Sequence, residues 1–275
     1  MTSCPERDLL PVDSHTHTYL CRHARGTPLD YARAALDAGL AGIVCTDHLP
    51  FPDEPEPTIR MRADEFPRYL ELVDEARAAM PPGFVGLGLE ADFHTPLVPD
   101  WLRRHFDAAP FDLVLGSVHT GPYWDMTPDD PAVTPEVVRE VFRRYFLKME
   151  RLARSRIFDA CAHFDLPKRR GFRVPEDALR EMVLPALDAV AEAGMAVEIN
   201  TSGAFHGIRE LYPSAEILSW MHERGIGLLF GSDAHLPARV GSCFAEAVAL
   251  ARAAGYTRYR RYAARRFREV PLPAP

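Results

Sequence analysis

From Leu9 to His23 the chain reads LLPVDSHTHTYLCRH. A short apolar run ends at Asp13, and His15 and His17 follow it directly. Alternate side chains of an extended segment share one face, so these two imidazoles can point at the same spot. Imidazole is the commonest protein ligand for zinc, iron and related ions. The stretch therefore predicts a metal site, although an isolated H-x-H pair in a chain with 11 histidines is a weak signal.

Size and composition limit the classes of protein that the chain can be. Its 275 residues are 47% hydrophobic and carry a net charge of −7. The length fits one α/β barrel domain, predicted to span residues 1–275. The acidic balance gives no hint of a surface for nucleic acid or a membrane. The five scattered cysteines form no CxxC pair, and the sequence has neither an 18-residue apolar run nor a signal pattern, so we expect a cytoplasmic protein.

Short apolar runs alternate with helical patterns, which predicts a parallel sheet closed into a barrel. The seven predicted strands are Leu9–Val12, Gly42–Thr46, Val85–Leu89, Leu113–Val118, Ile157–Ala162, Ala196–Ile199 and Gly227–Phe230. Helices are predicted from Pro28 to Leu36, Ala63 to Met80, Pro99 to Phe106, Pro135 to Arg154, Pro175 to Ala193, Ser214 to about Gly225, and Phe244 to Ala254. The basic segment from Arg258 to Arg268 is predicted to be a solvated helix face.

Polar side chains follow every predicted strand. The C-termini of parallel barrel strands open on one face, so these groups converge on one rim. An unpaired carboxylate at the end of a buried strand is costly, and a bridging position between two cations would remove that cost for Glu90. The alternatives are a structural ion pair for Glu90 and satisfied core histidines for His119 and His163. Nine candidate metal ligands result: His15, His17, His23, His48, Glu90, His119, His163, Asp233 and His235.

Four other histidines lack this placement. His105 and His222 lie in helical patterns and are predicted on the surface. His94 and His206 follow the third and sixth strands closely enough to reach the rim, but we interpret both as structural residues.

The order of these motifs identifies a resemblance. Asp13-x-His15-x-His17, Thr46-Asp47-His48, Glu90, Ser117-Val118-His119, Ala162-His163-Phe164-Asp165 and Gly231-Ser232-Asp233-Ala234-His235 resemble the polymerase and histidinol phosphatase (PHP) superfamily. Three further segments resemble its histidinol-phosphate phosphatase branch: Leu20-Cys21-x-His23-Ala24-x-Gly26-Thr27, Asp47-His48-Leu49-Pro50 and Glu198-Ile199-Asn200-Thr201-Ser202-Gly203.

The resemblance implies a distorted (β/α)7 barrel with three divalent ions (zinc, iron or manganese) at the C-terminal rim of the strands. One ion would bind His15, His17, Glu90 and Asp233; a second would share Glu90 and add His119 and His163; a third would bind His23, His48 and His235. Glu90, Asp233 and His235 would be catalytic, and a hydroxide bridging the Glu90-linked ions would attack phosphorus. Three cations, two carboxylates and this hydroxide leave about +3, which favours a dianionic phosphomonoester.

Arginines are the candidate phosphate contacts. Arg169, six residues after His163, is predicted to clamp the phosphate because guanidinium donors match its oxygens; the alternative is a solvated loop arginine. The phosphatase branch carries an arginine two residues after the glycine of its Asn-Thr-x-Gly segment, where this chain has Phe205. We expect Arg209 to substitute for it, and Ser117 is a further candidate substrate contact.

Three functions follow from these patterns. The leading hypothesis is hydrolysis of L-histidinol phosphate, a small-molecule substrate, to L-histidinol and phosphate in histidine biosynthesis. The second is a PHP phosphoesterase acting on nucleotides or nucleic-acid ends, which the acidic balance disfavours. The third is a non-catalytic, metal-stabilised scaffold, which has no need of an open, histidine-rich coordination site.

Overall fold

A sheet of six parallel strands forms the centre of the structure, a computed structural model that describes residues 9–51, 58–93, 106–107 and 109–274. Strands adjacent along the chain are also adjacent in the sheet. In order they are β1 (Ile43–Cys45), β2 (Val85–Asp92), β3 (Leu113–Ser117), β4 (Ala160–Cys161), β5 (Ala196–Asn200) and β6 (Gly227–Gly231). Six of the seven predicted strands are therefore present, with β4 shorter than predicted.

The first predicted strand, Leu9–Val12, is replaced by an extended segment that closes the sheet. Asp13 forms parallel bridges with both Ile43 of β1 and Phe230 of β6, so the segment lies between the two outer strands. Pro11 has no N–H group to donate, which interrupts a regular ladder, and isolated bridges remain. The predicted α/β barrel is confirmed, with six regular strands and an irregular seventh position.

Helices pack around the sheet, and capping residues in the sequence mark where several of them begin. Within the described residues they are α1 (Pro28–Asp37), α2 (Phe66–Ala79), α3 (Pro135–Ser155), α4 (Glu176–Ala193), α5 (Ala215–Glu223) and α6 (Phe244–Ala253). Thr27 and Asp30 form a reciprocal capping box at the start of α1, and the Thr134 side chain caps α3. The predicted helix from Pro99 falls almost wholly outside the described residues. None of the helices described here is long and apolar enough to cross a membrane.

The basic segment near the C-terminus is an antiparallel hairpin, so the prediction of a helix there was wrong. Its strands are β7 (Arg258–Ala263) and β8 (Arg266–Pro271), joined by Ala264 and Arg265 with φ of 49° and 59°. Two residues with positive φ make the tight turn that suits the twist of a hairpin. The helix was predicted from the run of basic residues, which does not distinguish a helix from a hairpin, and the hairpin buries Tyr259 and Tyr262.

The hairpin turn is fixed to the N-terminal end of the barrel. The Arg265 guanidinium donates to the Asp159 carboxylate at 3.0 Å and to the Ile157 carbonyl at 2.7 Å, and the Ala264 N–H donates to Asp112 at 2.9 Å. Asp112 and Asp159 stand directly before β3 and β4. The hairpin therefore lies at the opposite end of the barrel from the predicted rim.

We predict that Arg265→Ala lowers the free energy of unfolding by about 1–3 kcal/mol, because it removes charge-assisted hydrogen bonds from a largely buried carboxylate. Denaturant titration measures this change. Arg266→Ala, at the exposed neighbouring position, should change it by less than about 0.5 kcal/mol. Equal stabilities for the two variants would contradict a role for the hairpin turn in holding the barrel together.

Candidate metal centre

The extended segment that closes the sheet contains two buried histidines, His15 and His17, which lie at the C-terminal end of the strands. Nε2 of His15 and Nε2 of His17 lie 3.1 Å apart, and Nε2 of His17 lies 3.0 Å from Oδ1 of Asp233. Backbone hydrogen bonds on both sides hold this arrangement, since the His17 N–H donates to Ala234 and the Asp233 N–H donates to His15. The three side chains form one group that could hold a metal ion.

Glu90, near the end of β2, has its two carboxylate oxygens directed at different imidazoles. Oε2 lies 3.3 Å from Nε2 of His15 and 3.0 Å from Nδ1 of His48. Oε1 lies 3.0 Å from Nε2 of His163 and 3.4 Å from Nε2 of His119. The carboxylate is only 1% exposed, so these imidazoles are its immediate surroundings. This is the arrangement that a bridging ligand requires.

A third contact joins the first and last loops of the barrel. Nε2 of His23 and Nε2 of His235 lie 2.7 Å apart. Each ring also places Nδ1 against a backbone carbonyl, that of Cys21 at 2.7 Å and that of Asp233 at 2.9 Å. An Nδ1–H that donates to a carbonyl leaves Nε2 as a lone-pair acceptor. Two such lone pairs face each other favourably only with a cation or a proton between them.

The donor set fits divalent cations. Two ligands of one tetrahedral ion at about 2.0–2.1 Å are separated by roughly 3.3 Å, close to the nitrogen–nitrogen contacts above. The groups of three side chains that could hold an ion overlap, and His48 groups either with Glu90 and His119 or with His17 and His235. A further group places the thiol of Cys21 beside His23 and His235. All nine predicted ligands meet here. His48 lies with His235 in one group, as in the division that the resemblance implied, and with Glu90 in the other, so the division among three ions stays a prediction.

Two buried carboxylates contact imidazoles on the side away from the other ligands, and neither was among the predicted site residues, although Glu198 lies in one of the motifs quoted above. Oε1 of Glu198 lies 2.8 Å from Nδ1 of His15, and Oδ1 of Asp92 lies 2.7 Å from Nδ1 of His119. Gly231 makes room for the first contact, because a Cβ there would overlap Oε1 of Glu198. Carboxylates in this position fix the tautomer and orientation of a histidine ligand. Their signal was present: each lies two residues from another polar residue at its strand end.

Burial and the nearby carboxylates shift the pKa values of these imidazoles in opposite directions. Burial lowers the pKa of His15, but Glu198 and the other nearby carboxylates outweigh it and raise this pKa well above its ordinary value. Burial lowers the pKa of His48 to about 4. Metal binding requires neutral imidazole, so protons compete for His15 and metal loading weakens as the pH falls.

A cavity of about 660 Å³ opens over this cluster. Arg169 lies in its wall as predicted, with Cζ 4.2 Å above the ring centre of Trp124 and a guanidinium nitrogen 3.4 Å from Nδ1 of His206. His206, which we had interpreted as structural, thus belongs to the cavity. Further lining residues are Ile59, Leu166, Ser202, Phe205, Leu236 and Arg239.

Two predicted substrate contacts do not reach the cavity. Arg209 is exposed and does not line it. Ser117 is fully buried, with Oγ 3.4 Å from Oδ1 of Asp92. Among the other histidines, His222 is exposed as predicted and packs edge-on against Tyr256. His94 and His105 lie outside the described residues.

We predict that Glu198→Gln lowers zinc affinity by about 10- to 100-fold, because a neutral amide supports the Nδ1–H of His15 less well than a carboxylate. Competition for zinc with a chromophoric chelator measures the affinity. Glu192→Gln removes the same charge from an exposed position on α4 and should leave the affinity unchanged. Wild-type zinc affinity in the Glu198 variant would show that this carboxylate does not tune the site.

Fold and site together define a metal-binding α/β barrel with its ligands at the C-terminal rim of the strands. The family model described as PHP domain matches residues 13–202. The chain belongs to the PHP domain family, as its motifs predicted.

Several characterised or named proteins are similar to it. A probable histidinol-phosphatase of Deinococcus radiodurans is 40% identical over 241 residues, which is 86% of this chain and 90% of that protein. The histidinol-phosphatase of Bacillus subtilis is 27% identical over 276 residues, covering 84% of this chain and 96% of that protein. The fold matches the crystal structure of histidinol phosphate phosphatase from Lactococcus lactis, complexed with zinc, L-histidinol and phosphate, with a TM-score of 0.77 at 19% identity and coverage of 95% and 100% of the two chains.

Proposed function

We propose that this protein is a histidinol-phosphatase, which hydrolyses L-histidinol phosphate to L-histidinol and inorganic phosphate in histidine biosynthesis. The observation that carries the proposal is Glu90, whose two oxygens face separate sets of imidazoles on the floor of a cavity walled by Arg169. The 40% identity to a probable histidinol-phosphatase, over 90% of that protein, supports the choice of substrate. So does the fold shared with an enzyme whose crystal structure holds L-histidinol and phosphate.

The size and polarity of the cavity suit a small phosphomonoester. Its volume of about 660 Å³ lies within the range typical of small-molecule sites. Acidic and imidazole groups occupy the floor, whereas the side chains of Leu166 and Leu236 and the ring of Trp124 supply apolar wall. A phosphate group can thus be bound on the polar side while an organic group contacts the apolar wall.

The nine ligand residues would hold three divalent ions (zinc, iron or manganese), with Glu90 joining two of them. Such ions supply positive charge toward phosphate oxygens and lower the pKa of a water molecule. The polypeptide keeps the acceptors in place. Ser202 donates to Oδ2 of Asp233 at 3.2 Å, which leaves Oδ1 directed at His17. In this proposal Glu90, Asp233 and His235 are the catalytic ligands.

Arg169 would bind and orient the phosphate. Its guanidinium carbon lies 4.2 Å above the ring centre of Trp124, a contact that uses the face of the ring and none of the guanidinium's hydrogen-bonding capacity. Burial and the charge of Arg169 lower the pKa of His206. The neutral imidazole can therefore accept a hydrogen bond from the guanidinium and fix its position.

We further propose that residues 1–275 form a single PHP barrel domain and that the protein acts in the cytoplasm. The continuous order of the strands in the sheet supports the first statement. The free cysteines Cys21, Cys45, Cys161 and Cys243 are compatible with the reducing compartment named in the second.

Purified, metal-loaded protein is expected to release phosphate from L-histidinol phosphate with a higher kcat/KM than from p-nitrophenyl phosphate. The reason is that binding energy from the organic group is available only with the specific substrate. Phosphate release measures both reactions, and a gel with single-stranded DNA tests the nuclease alternative. Activity on p-nitrophenyl phosphate or DNA, with none on L-histidinol phosphate, would overturn the proposed substrate.

Glu90→Ala is expected to lower kcat/KM by more than about 100-fold. Losing a residue that only hydrogen-bonds a metal ligand typically costs about 10- to 100-fold. This variant removes the carboxylate that faces both halves of the cluster. His222→Ala, at an exposed position away from the cavity, is the matched control and should stay close to wild type. Bound metal is measured in parallel. Full turnover in the Glu90 variant would refute a bridging role.

A further inference from the structure

The cavity wall contains a second arginine stacked on an aromatic ring. Cζ of Arg239 lies 4.0 Å above the ring centre of Phe205, much as Arg169 lies above Trp124. All four residues line the cavity. Trp124 lies in the loop after β3 and Arg169 in the loop after β4. In the same way, Phe205 lies in the loop after β5 and Arg239 in the loop after β6.

The Arg239 guanidinium has no carboxylate partner within the described ranges. Several exposed arginines are paired, for example Arg143 with Glu140 at 2.7 Å. Others, such as Arg33, have no carboxylate partner within the described residues, so the feature that distinguishes Arg239 is its place in the cavity wall. A guanidinium that stacks by its face keeps the N–H groups of its plane free for an anion. Arg239 thus offers an unpaired, planar donor group at the wall of a cavity whose floor we assign to phosphate chemistry.

The backbone that carries Arg239 is well fixed. The residue ends the short 3-10 turn Pro237–Arg239, and its N–H donates to the carbonyl of Leu236 at 2.9 Å. Two residues later the Gly241 N–H donates to the buried carboxylate of Asp13 at 3.0 Å. The turn is thus attached to the segment that closes the barrel, so little ordering of the main chain is needed for Arg239 to meet a ligand.

We infer that Arg239 is a second phosphate-binding arginine, which donates to oxygens of the phosphomonoester and of the inorganic phosphate product. Phe205 is its positioning residue. Arg209, which we expected in this role, is exposed on the same loop as Phe205 and lies outside the cavity. The segment after β5 therefore contributes an aromatic surface, and the cation comes from the loop after β6. This inference rests on the proposed phosphatase function.

The test is calorimetric binding of inorganic phosphate to the full-length, zinc-loaded protein, with its inhibition constant against phosphate-ester hydrolysis as a second readout. Arg239→Ala is expected to weaken phosphate binding about 10- to 100-fold, the usual effect of losing hydrogen bonds to a charged group. Arg239→Lys keeps the charge but loses the planar, two-pronged donor group, so its phosphate affinity should lie between that of Arg239→Ala and that of wild type. Phe205→Ala should weaken binding about two- to fivefold, because the stack holds the guanidinium without touching the anion.

Arg209→Ala is the control, since it removes an equal charge from the loop that carries Phe205, outside the cavity, and should leave phosphate affinity unchanged. Zinc content and melting temperature of every variant are measured, so that a folding defect is recognised. Wild-type phosphate affinity in Arg239→Ala, or equal losses in Arg239→Ala and Arg209→Ala, would overturn the inference. Because the probe is inorganic phosphate, failure of the wild type to hydrolyse L-histidinol phosphate would overturn only the proposed substrate.

Discussion

The burial of one carboxylate among imidazoles is the constraint on which the site depends. Glu90 is 1% exposed and lies within 3.0–3.5 Å of five histidines that come from four different parts of the chain. Such a crowd of acceptor atoms is unfavourable unless cations or protons occupy the space between them. The barrel holds the side chains there because each follows a strand end or the closing segment, and Glu198 and Asp92 fix two of the rings from behind.

Much of this arrangement could be predicted from the sequence, because it depends on local order along the chain. Apolar runs that end in His or acid residues imply one rim, and the nine predicted ligands do meet there. The contacts that were missed join distant positions. Glu198 meets His15 across 183 residues, and nothing in either local pattern specifies that pairing. Such pairings depend on which strands become neighbours and on the space that Gly231 leaves open.

The wrong predictions concern loops and the last segment, where one local sequence pattern is compatible with two structures. The basic composition of the last segment fits a solvated helix as well as a hairpin, and contacts with Asp112 and Asp159 favour the hairpin. Arg209 was the nearest arginine in sequence to Phe205, whereas Arg239 is the one that stacks on its ring. Proximity along a loop does not determine which side chain turns inward, because that depends on the neighbouring loop.

The irregular seventh position has a consequence for how the barrel holds together. Between β6 and β1 the regular ladder is replaced by isolated bridges and by backbone hydrogen bonds from residues 10–17 to both outer strands, so this seam is closed by an irregular segment and not by a continuous strand. His15 and His17 stand on the seam, Asp233 and His235 on one side of it and His48 on the other. A cation shared across these residues would link the two outer strands of the barrel. Metal binding at the site and closure of the barrel would then be thermodynamically coupled, so that each stabilises the other.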